Sequence, residues 1–279
     1  MKLDFSVEKT VKQRQSVRNY QERPLTKSER EQIEQYIEHL SNPFSVAVSF
    51  HLLDHDATEN GEKLGTYGVI KGASNYVGAS VGTEELNLEA LGYSFEALIL
   101  YLTSLGFGTC WLGGTFDRSK FAAAMHLNKD SIFPAISPIG IPTGKRRVSD
   151  RMTRWAIKAD QRLLWQDLFF DSNFSTPLNK DAAGDYAFPL EMLRLAPSAV
   201  NKQPWRIVKE KDSFHFYEFH SLKENKHGID IQRTDVGIGA CHFHLAALEK
   251  GLSGHLERLN TPEISAPEKM EYRFSWIAD

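Results

Sequence analysis

The apolar positions of this chain change period several times, and each change marks an element. Thr26-Lys27-Ser28-Glu29 has the form of a capping box, and Ile33, Tyr36, Ile37 and Leu40 continue from it at helical spacing. From Ser45 to Leu53 the period drops to two, through Val46, Val48, Phe50 and Leu52, which predicts a half-buried strand. A second strand is predicted at Asn75 to Val81. A long helix follows, with Leu91, Phe95, Leu98, Ile99, Leu102 and Leu105 on one face and Gly106 as its stop. Ile136 to Ile141 reads as the last strand of this group.

The same order then repeats. A short helix ends at Leu195. Trp205 to Lys209 and Phe214 to Phe219 predict a hairpin around Lys211-Asp212-Ser213, and Val236 to Leu248 a helix that stops near Gly251. Tyr272, Phe274 and Trp276 alternate in a terminal strand. Sliding Gly106 onto Gly251 also places Gly92 on Gly237 and Leu100 on Leu245. The pattern therefore predicts two similar helix–sheet halves, residues 1–160 and 161–279, with Lys145 to Gln166 as a joining helix rich in Arg and Lys.

Composition narrows the class. With 279 residues, 41% hydrophobic and 25% charged, the chain suits a soluble protein of two domains or halves that needs no covalent staple. A net charge of -3 argues against a nucleic-acid binder. The Lys145-Arg146-Arg147 run, with Arg151 and Arg154, reads as a solvated helix face. No apolar run is long enough to span a membrane, and Met1 to Lys9 carries no secretory h-region. Cys110 and Cys241 lie in apolar stretches, as buried thiols in a reducing cytoplasm would.

Candidate chemistry sits in two places. Arg14-Gln15-Ser16-Val17-Arg18 lies near the start, with no counterpart at the start of the second half. Leu195-Ala-Pro-Ser-Ala-Val-Asn-Lys-Gln-Pro-Trp205 turns at Pro197 and offers Ser198, Asn201 and Gln203 between a helix end and a strand start, as a binding loop would. The cluster Cys241-His242-Phe243-His244, with His255, has no paired metal-ligand spacing; we read packed or helix-face histidines there and assign no metal ligand. Trp205 and Trp111 read as core aromatics.

Together the R-x-S-x-R run and the P-S-x-x-N-x-Q-P-W loop resemble the nitroreductase family of flavin enzymes. The similarity extends to Leu105-Gly-Phe-Gly-Thr-Cys-Trp-Leu-Gly-Gly114 and to Ile139-Gly-Ile-Pro142. It implies an α+β nitroreductase-like fold. Members are usually homodimers with FMN at the interface, one subunit giving R-x-S-x-R and the other the P-S-x-x-N loop. This chain resembles such a dimer joined into one polypeptide: a monomer with internal pseudo-twofold symmetry and one complete flavin site.

By resemblance, Arg14 and Ser16 would hold the FMN phosphate, and Arg18 the N1/O2 edge of the ring. Pro197, Ser198 and Asn201 would line ring and ribityl chain from the other half. The backbone of Leu112, Gly113 and Gly114 would approach N5, and Arg162 would reach phosphate. Thr66 and Lys71 are candidates for the pyrimidine edge. The residue types fit that chemistry, since guanidinium forks and hydroxyls match a phosphate dianion, and a fixed cation stabilises a ring that gains negative charge. No protein nucleophile is required, because the flavin carries the chemistry. The implied activity is an FMN-dependent, NAD(P)H-oxidising reductase acting on a small nitroaromatic, quinone or similar acceptor. Other flavin chemistry (reductive dehalogenation or flavin cleavage), a non-catalytic flavin-binding scaffold, and a flavin-free interaction protein stay open at this point.

Overall fold

The computed structural model describes residues 3–54, 64–144, 152, 155, 158, 160, 161–225, 227–260, 262 and 264–279. The basic run at 145–151 and most of the expected joining helix fall outside them. Met152 and Trp155 are helical, but residues 161–164 are not. The expected helix does not reach Gln166, because Gln203 Oε1 takes the Leu163 N–H at 2.9 Å and draws this segment along the neighbouring loop.

Two helices form the centre. They are α3 (Asn87–Ser104) and α7 (Ile231–Glu249), and both are buried along most of their length. Ahead of α3 come α1 (Val7–Gln13) and α2 (Lys27–Glu38); between α3 and α7 come α4 (Arg118–Ala124), α5 (Lys180–Ala183) and α6 (Ala187–Arg194). One sheet has the order β1-β2-β4-β3, from β1 (Val48–Asp54), β2 (Asn75–Val81), β3 (Gly108–Thr109) and β4 (Ile132–Gly140), all antiparallel. The other has the order β5-β6-β7-β9-β8, from β5 (Phe169–Asp171), β6 (Trp205–Glu210), β7 (Ser213–Phe219), β8 (Gly254–Glu257) and β9 (Met270–Ala278). Only the β5–β6 pair is parallel among the described strands. The fold is the expected α+β class, with one sheet to each half of the chain.

Most predicted elements are present, with shifted edges. The capping box at Thr26 forms in full. The first strand starts at Val48 and not at Ser45, because Ser45 takes a left-handed φ of 55° and the Asn42 amide bonds Val46 O at 2.8 Å, folding that stretch into a turn. The last strand of the first sheet spans Ile132–Gly140, so it begins ahead of the expected Ile136. Helix α7 starts five residues before the expected Val236, with Asp230 as its N-cap. The short α1 gave no apolar period to follow. Its first N–H groups are taken by a remote carboxylate, Val7 N to Glu249 Oε1 at 2.7 Å and Glu8 N to Glu249 Oε2 at 3.1 Å.

α3 and α7 meet at two glycines. A Cβ added to Gly92 would lie 2.0 Å from Thr234 O, and one added to Gly237 would lie 2.0 Å from Glu89 O. The contact is reciprocal, and the slide that puts Gly92 on Gly237 also puts Glu89 on Thr234. Around this crossing the halves exchange apolar contacts: Val7 and Val11 of α1 join the core that holds Trp205, Phe216 and Phe274, and Phe44 packs on Phe274 at 4.9 Å. Cys110 and Cys241 are both buried and in no disulfide.

Two outcomes are expected. Gly92→Ala or Gly237→Ala should cost about 3 kcal/mol or more, since a methyl would press on backbone and not on a yielding side chain. Gly114→Ala, with nothing within 4 Å of its Cβ, should cost little. Urea melts check both. His244 accepts from or donates to Tyr93 Oη at 2.9 Å, and burial lowers its pKa to about 4. A depressed folded-state value means this stability is present above pH 6.5 and fades as pH falls toward 4. Melts at about pH 7 and 4.5 should therefore show the wild type losing about 2 kcal/mol more than His244→Gln.

Candidate active site

Three segments remote in sequence wall one cavity of about 510 Å3. The first is the R-x-S-x-R stretch, pinned as an extension of the first sheet. Val17 N donates to Thr109 O at 2.8 Å, Lys71 N to Arg18 O at 2.9 Å and Tyr20 N to Lys71 O at 2.9 Å. Two glycines permit the approach: a Cβ on Gly108 would lie 2.9 Å from Val17 Cγ1, and one on Gly72 (φ +73°) only 2.2 Å from Tyr20 O. Ser16 and Arg18 are thereby fixed on the cavity wall.

The second segment is Leu112 to Thr115. Leu112 is bridged to Ile136, and the Arg118 guanidinium donates to Gly113 O at 2.9 Å, Pro134 O at 2.8 Å and Phe133 O at 2.7 Å. The glycine backbone is therefore held by a fixed fork of donors. Both Gly113 and Gly114 line the cavity.

The third segment is the loop after α6. Val200, Asn201 and Gln203 take left-handed φ of 43°, 58° and 49°. For a β-branched residue this is strained backbone, and Val200 is also 54% exposed. The loop's own side chains hold it there. Gln203 N donates to Ser198 Oγ at 2.8 Å, and Ala199 N to the Asp235 carboxyl at 3.0 Å. Asn201 Nδ2 donates to Lys158 O at 2.7 Å and Gln161 O at 2.9 Å. Arg162 donates to Asn201 Oδ1 at 3.2 Å and to Leu195 O at 3.1 Å. Pro197 to Val200 then face the cavity.

The first turns of α7 complete the wall with Ile231, Thr234, Asp235 and Ile238, and Tyr67 to Val69 and Asn225 close the sides. Burial holds the Asp235 carboxyl well above the usual carboxylate range. Thr234 Oγ1 is buried with no hydrogen-bond partner among the described residues. Most of the surface is apolar, with a few polar groups aimed inward, as small-molecule sites usually are.

Of the residues expected from sequence, the fold gathers Ser16, Arg18, Leu112, Gly113, Gly114, Pro197 and Ser198 around this cavity. It does not gather Arg14, Arg162 and Asn201. Arg14 lies buried with Nε 3.9 Å from Glu96 Oε1, in a network where Glu96 also accepts from Trp111 Nε1 at 2.7 Å and meets His242 Nε2 at 2.9 Å. Arg162 and Asn201 bond to each other and to backbone, so they shape the loop. Thr66 and Lys71 stand on either side of Tyr67–Val69 without lining the cavity. Trp205 is wholly buried core, whereas Trp111 both packs on Phe95 at 4.6 Å and lines the cavity. His242 and His244 are bonded to Met192 O at 3.0 Å and Tyr93 Oη at 2.9 Å. Sequence reasoning missed Tyr67–Val69, Asn225, Arg118 and the four residues of α7. The only available signal was the helical period of α7, which points Ile231, Thr234, Asp235 and Ile238 to one side.

Comparison with known proteins agrees with this geometry. Residues 6–247 match the family model described as "Putative TM nitroreductase". The chain belongs to this nitroreductase family. Among solved structures, a "putative nitroreductase" of Thermotoga maritima matches with a TM-score of 0.63 at 18% identity, over 99% of this chain and 95% of that one, which shows a common fold. Shorter chains match about half of this one. A "putative nitroreductase" from Desulfovibrio desulfuricans in complex with FMN has TM-score 0.38 and 18% identity, covering 53% of this chain and 96% of that one. A Bacteroides fragilis nitroreductase with bound FMN has TM-score 0.39 and 16% identity, covering 52% and 92%. Comparison with curated proteins gives no match. No helix among the described residues is long and apolar enough to cross a membrane.

If Asn201 and Arg162 shape the loop, Asn201→Ala should cost about 1–3 kcal/mol and leave the fold intact. Hydrogen exchange should quicken at residues 196–203 and stay unchanged in β7 and β9.

Proposed function

We propose that this cavity holds FMN and that the protein is an FMN-dependent, NAD(P)H-oxidising reductase of an electron-poor small molecule such as a nitroaromatic or quinone. The observation that carries the reading is the meeting of Ser16 and Arg18 with Leu112–Gly114 and Pro197–Ser198 around one apolar cavity. Family membership supports it.

The residues present fit such a group. The open space over Gly114, where a side chain would otherwise project, admits a planar ring close to the backbone. The unsatisfied Thr234 hydroxyl and the Ser198 hydroxyl, which accepts from Gln203 N, can each donate inward. Arg18 brings a permanent cation to the wall. FMN, when bound, supplies hydride transfer; the chain's part is to bind, orient and shield it. Arg18 would favour a reduced, anionic ring, and the walls of Ile231, Ile238 and Trp111 would keep water from one face. We further propose one flavin per chain, in a monomer that is a fused equivalent of the family's dimers, working in the cytoplasm. The reciprocal Gly92–Gly237 contact favours that reading.

The two arginines separate the assignment. Arg18→Ala should weaken FMN binding ten- to a hundredfold, the cost of about 1.5–3 kcal/mol for a lost charged contact, and slow NAD(P)H-dependent bleaching of the flavin. Arg14→Ala leaves Glu96 buried without its cation, so it should lower the melting temperature more than the FMN affinity. Fluorescence titration with FMN and thermal melts read both. A purified protein that takes up no FMN would overturn the proposal.

A further inference from the structure

A second, smaller cavity of about 400 Å3 opens on the other side of the first turn of α7, beside the start of α3. His220, Asp230 and Glu271 line it, together with Arg233 and Arg273. Glu218, the residue of β7 just before this wall, is wholly buried, and neither of its carboxylate oxygens has a hydrogen-bond partner among the described residues. A buried carboxyl without donors is costly to ionise, so it is met either by a proton or by a cation.

The guanidiniums nearby are already engaged. Arg233 bonds both Glu89 oxygens at 3.0 and 2.9 Å; Arg273 bonds Glu89 Oε1 at 2.7 Å and Glu271 Oε1 at 2.6 Å. What faces Glu218 is an imidazole and a second carboxylate. His220 Nδ1 is 3.3 Å from Glu218 Oε1 and 3.8 Å from Asp230 Oδ2. One ligand atom from each of the three residues falls within 4.8 Å of the others. Atoms sharing a tetrahedral shell at about 2.1 Å stand ~3.4 Å apart.

The outer contacts orient the set. Glu271 Oε2 lies 3.0 Å from His220 Nε2, so Nε2–H can donate there and leave the Nδ1 lone pair for a metal. Asp230 Oδ1 accepts the cap bond from Gln232 N at 2.9 Å, which leaves Oδ2 for the same centre.

We propose that Glu218, His220 and Asp230 bind a divalent transition metal such as Zn2+, with its remaining coordination positions open to the 400 Å3 cavity. Imidazole among the ligands favours this class over Mg2+ or Ca2+. His220 and Asp230 stand on either side of Asn225, which lines the larger cavity. A bound metal would tie His220 to Asp230 and fix one wall of that cavity. The metal site stands independently of the flavin reading.

The test uses the full chain, stripped with chelator and titrated with ZnCl2 by calorimetry, with thermal melts alongside. The wild type should bind one equivalent and gain melting temperature. Glu218→Gln and His220→Asn should each weaken binding at least a hundredfold, and Glu271→Gln about tenfold. Asp230→Asn, which keeps an N-cap oxygen, should lose binding without losing the helix. If Glu218→Gln does not fold, the partly exposed His220→Asn carries the test. No saturable binding to the wild type means that the three side chains only bond to one another. That result, or equal binding by wild type, Glu218→Gln and His220→Asn, overturns the proposal.

Discussion

The close approach of α3 and α7 at Gly92 and Gly237 is the constraint on which the rest depends. With no Cβ on either side, each helix seats its glycine on a carbonyl of the other. This brings the N-terminal turns of both helices to the middle of the molecule, where they wall cavities instead of ending in solvent. A larger residue at either position would separate the two sheets and open the space between Leu112–Gly114 and Ile231.

The larger cavity owes its shape to backbone more than to side chains. Ser16 and Arg18 are placed by ladder bonds to Thr109 and Lys71, Gly113 by the Arg118 fork, and the 197–200 loop by its own polar residues. Each placement uses groups that would otherwise be unsatisfied on burial. The strain at Val200 persists because Asn201, Arg162, Gln203 and Asp235 hold the loop on both flanks.

Much of this was legible in the sequence, and the limits have physical causes. The long apolar helices, the hairpin at Lys211 and the glycine alignment follow from local periods and turn chemistry, which a sequence carries directly. Edges shifted where a side chain overrode the period, as Asn42 did before β1. Ser16, Arg18, Gly113, Gly114 and Ser198, which short motifs mark, line the larger cavity. Arg14 and Asn201 belong to the same motifs, and Arg162 to the same resemblance, yet they are turned elsewhere by Glu96, Leu195 O and the Lys158 and Gln161 carbonyls, partners that only folding supplies. The α7 and Tyr67–Val69 walls had no motif, since apolar residues and one Asp on a helix look the same in a core and in a cavity.

The reciprocal crossing also bears on how such a molecule can change. In a symmetric assembly of identical chains, every substitution appears twice, once on each side of the axis. Here the two positions facing the glycines are already different, Glu89 on one side and Thr234 on the other. The acid draws in Arg233 and Arg273 beside the smaller cavity, while the uncharged Thr234 lines the larger one. Because both helices lie in one polypeptide, dilution cannot pull them apart. Mutation in one helix can then remodel one cavity while the other keeps its shape, a freedom that two copies of one chain lack.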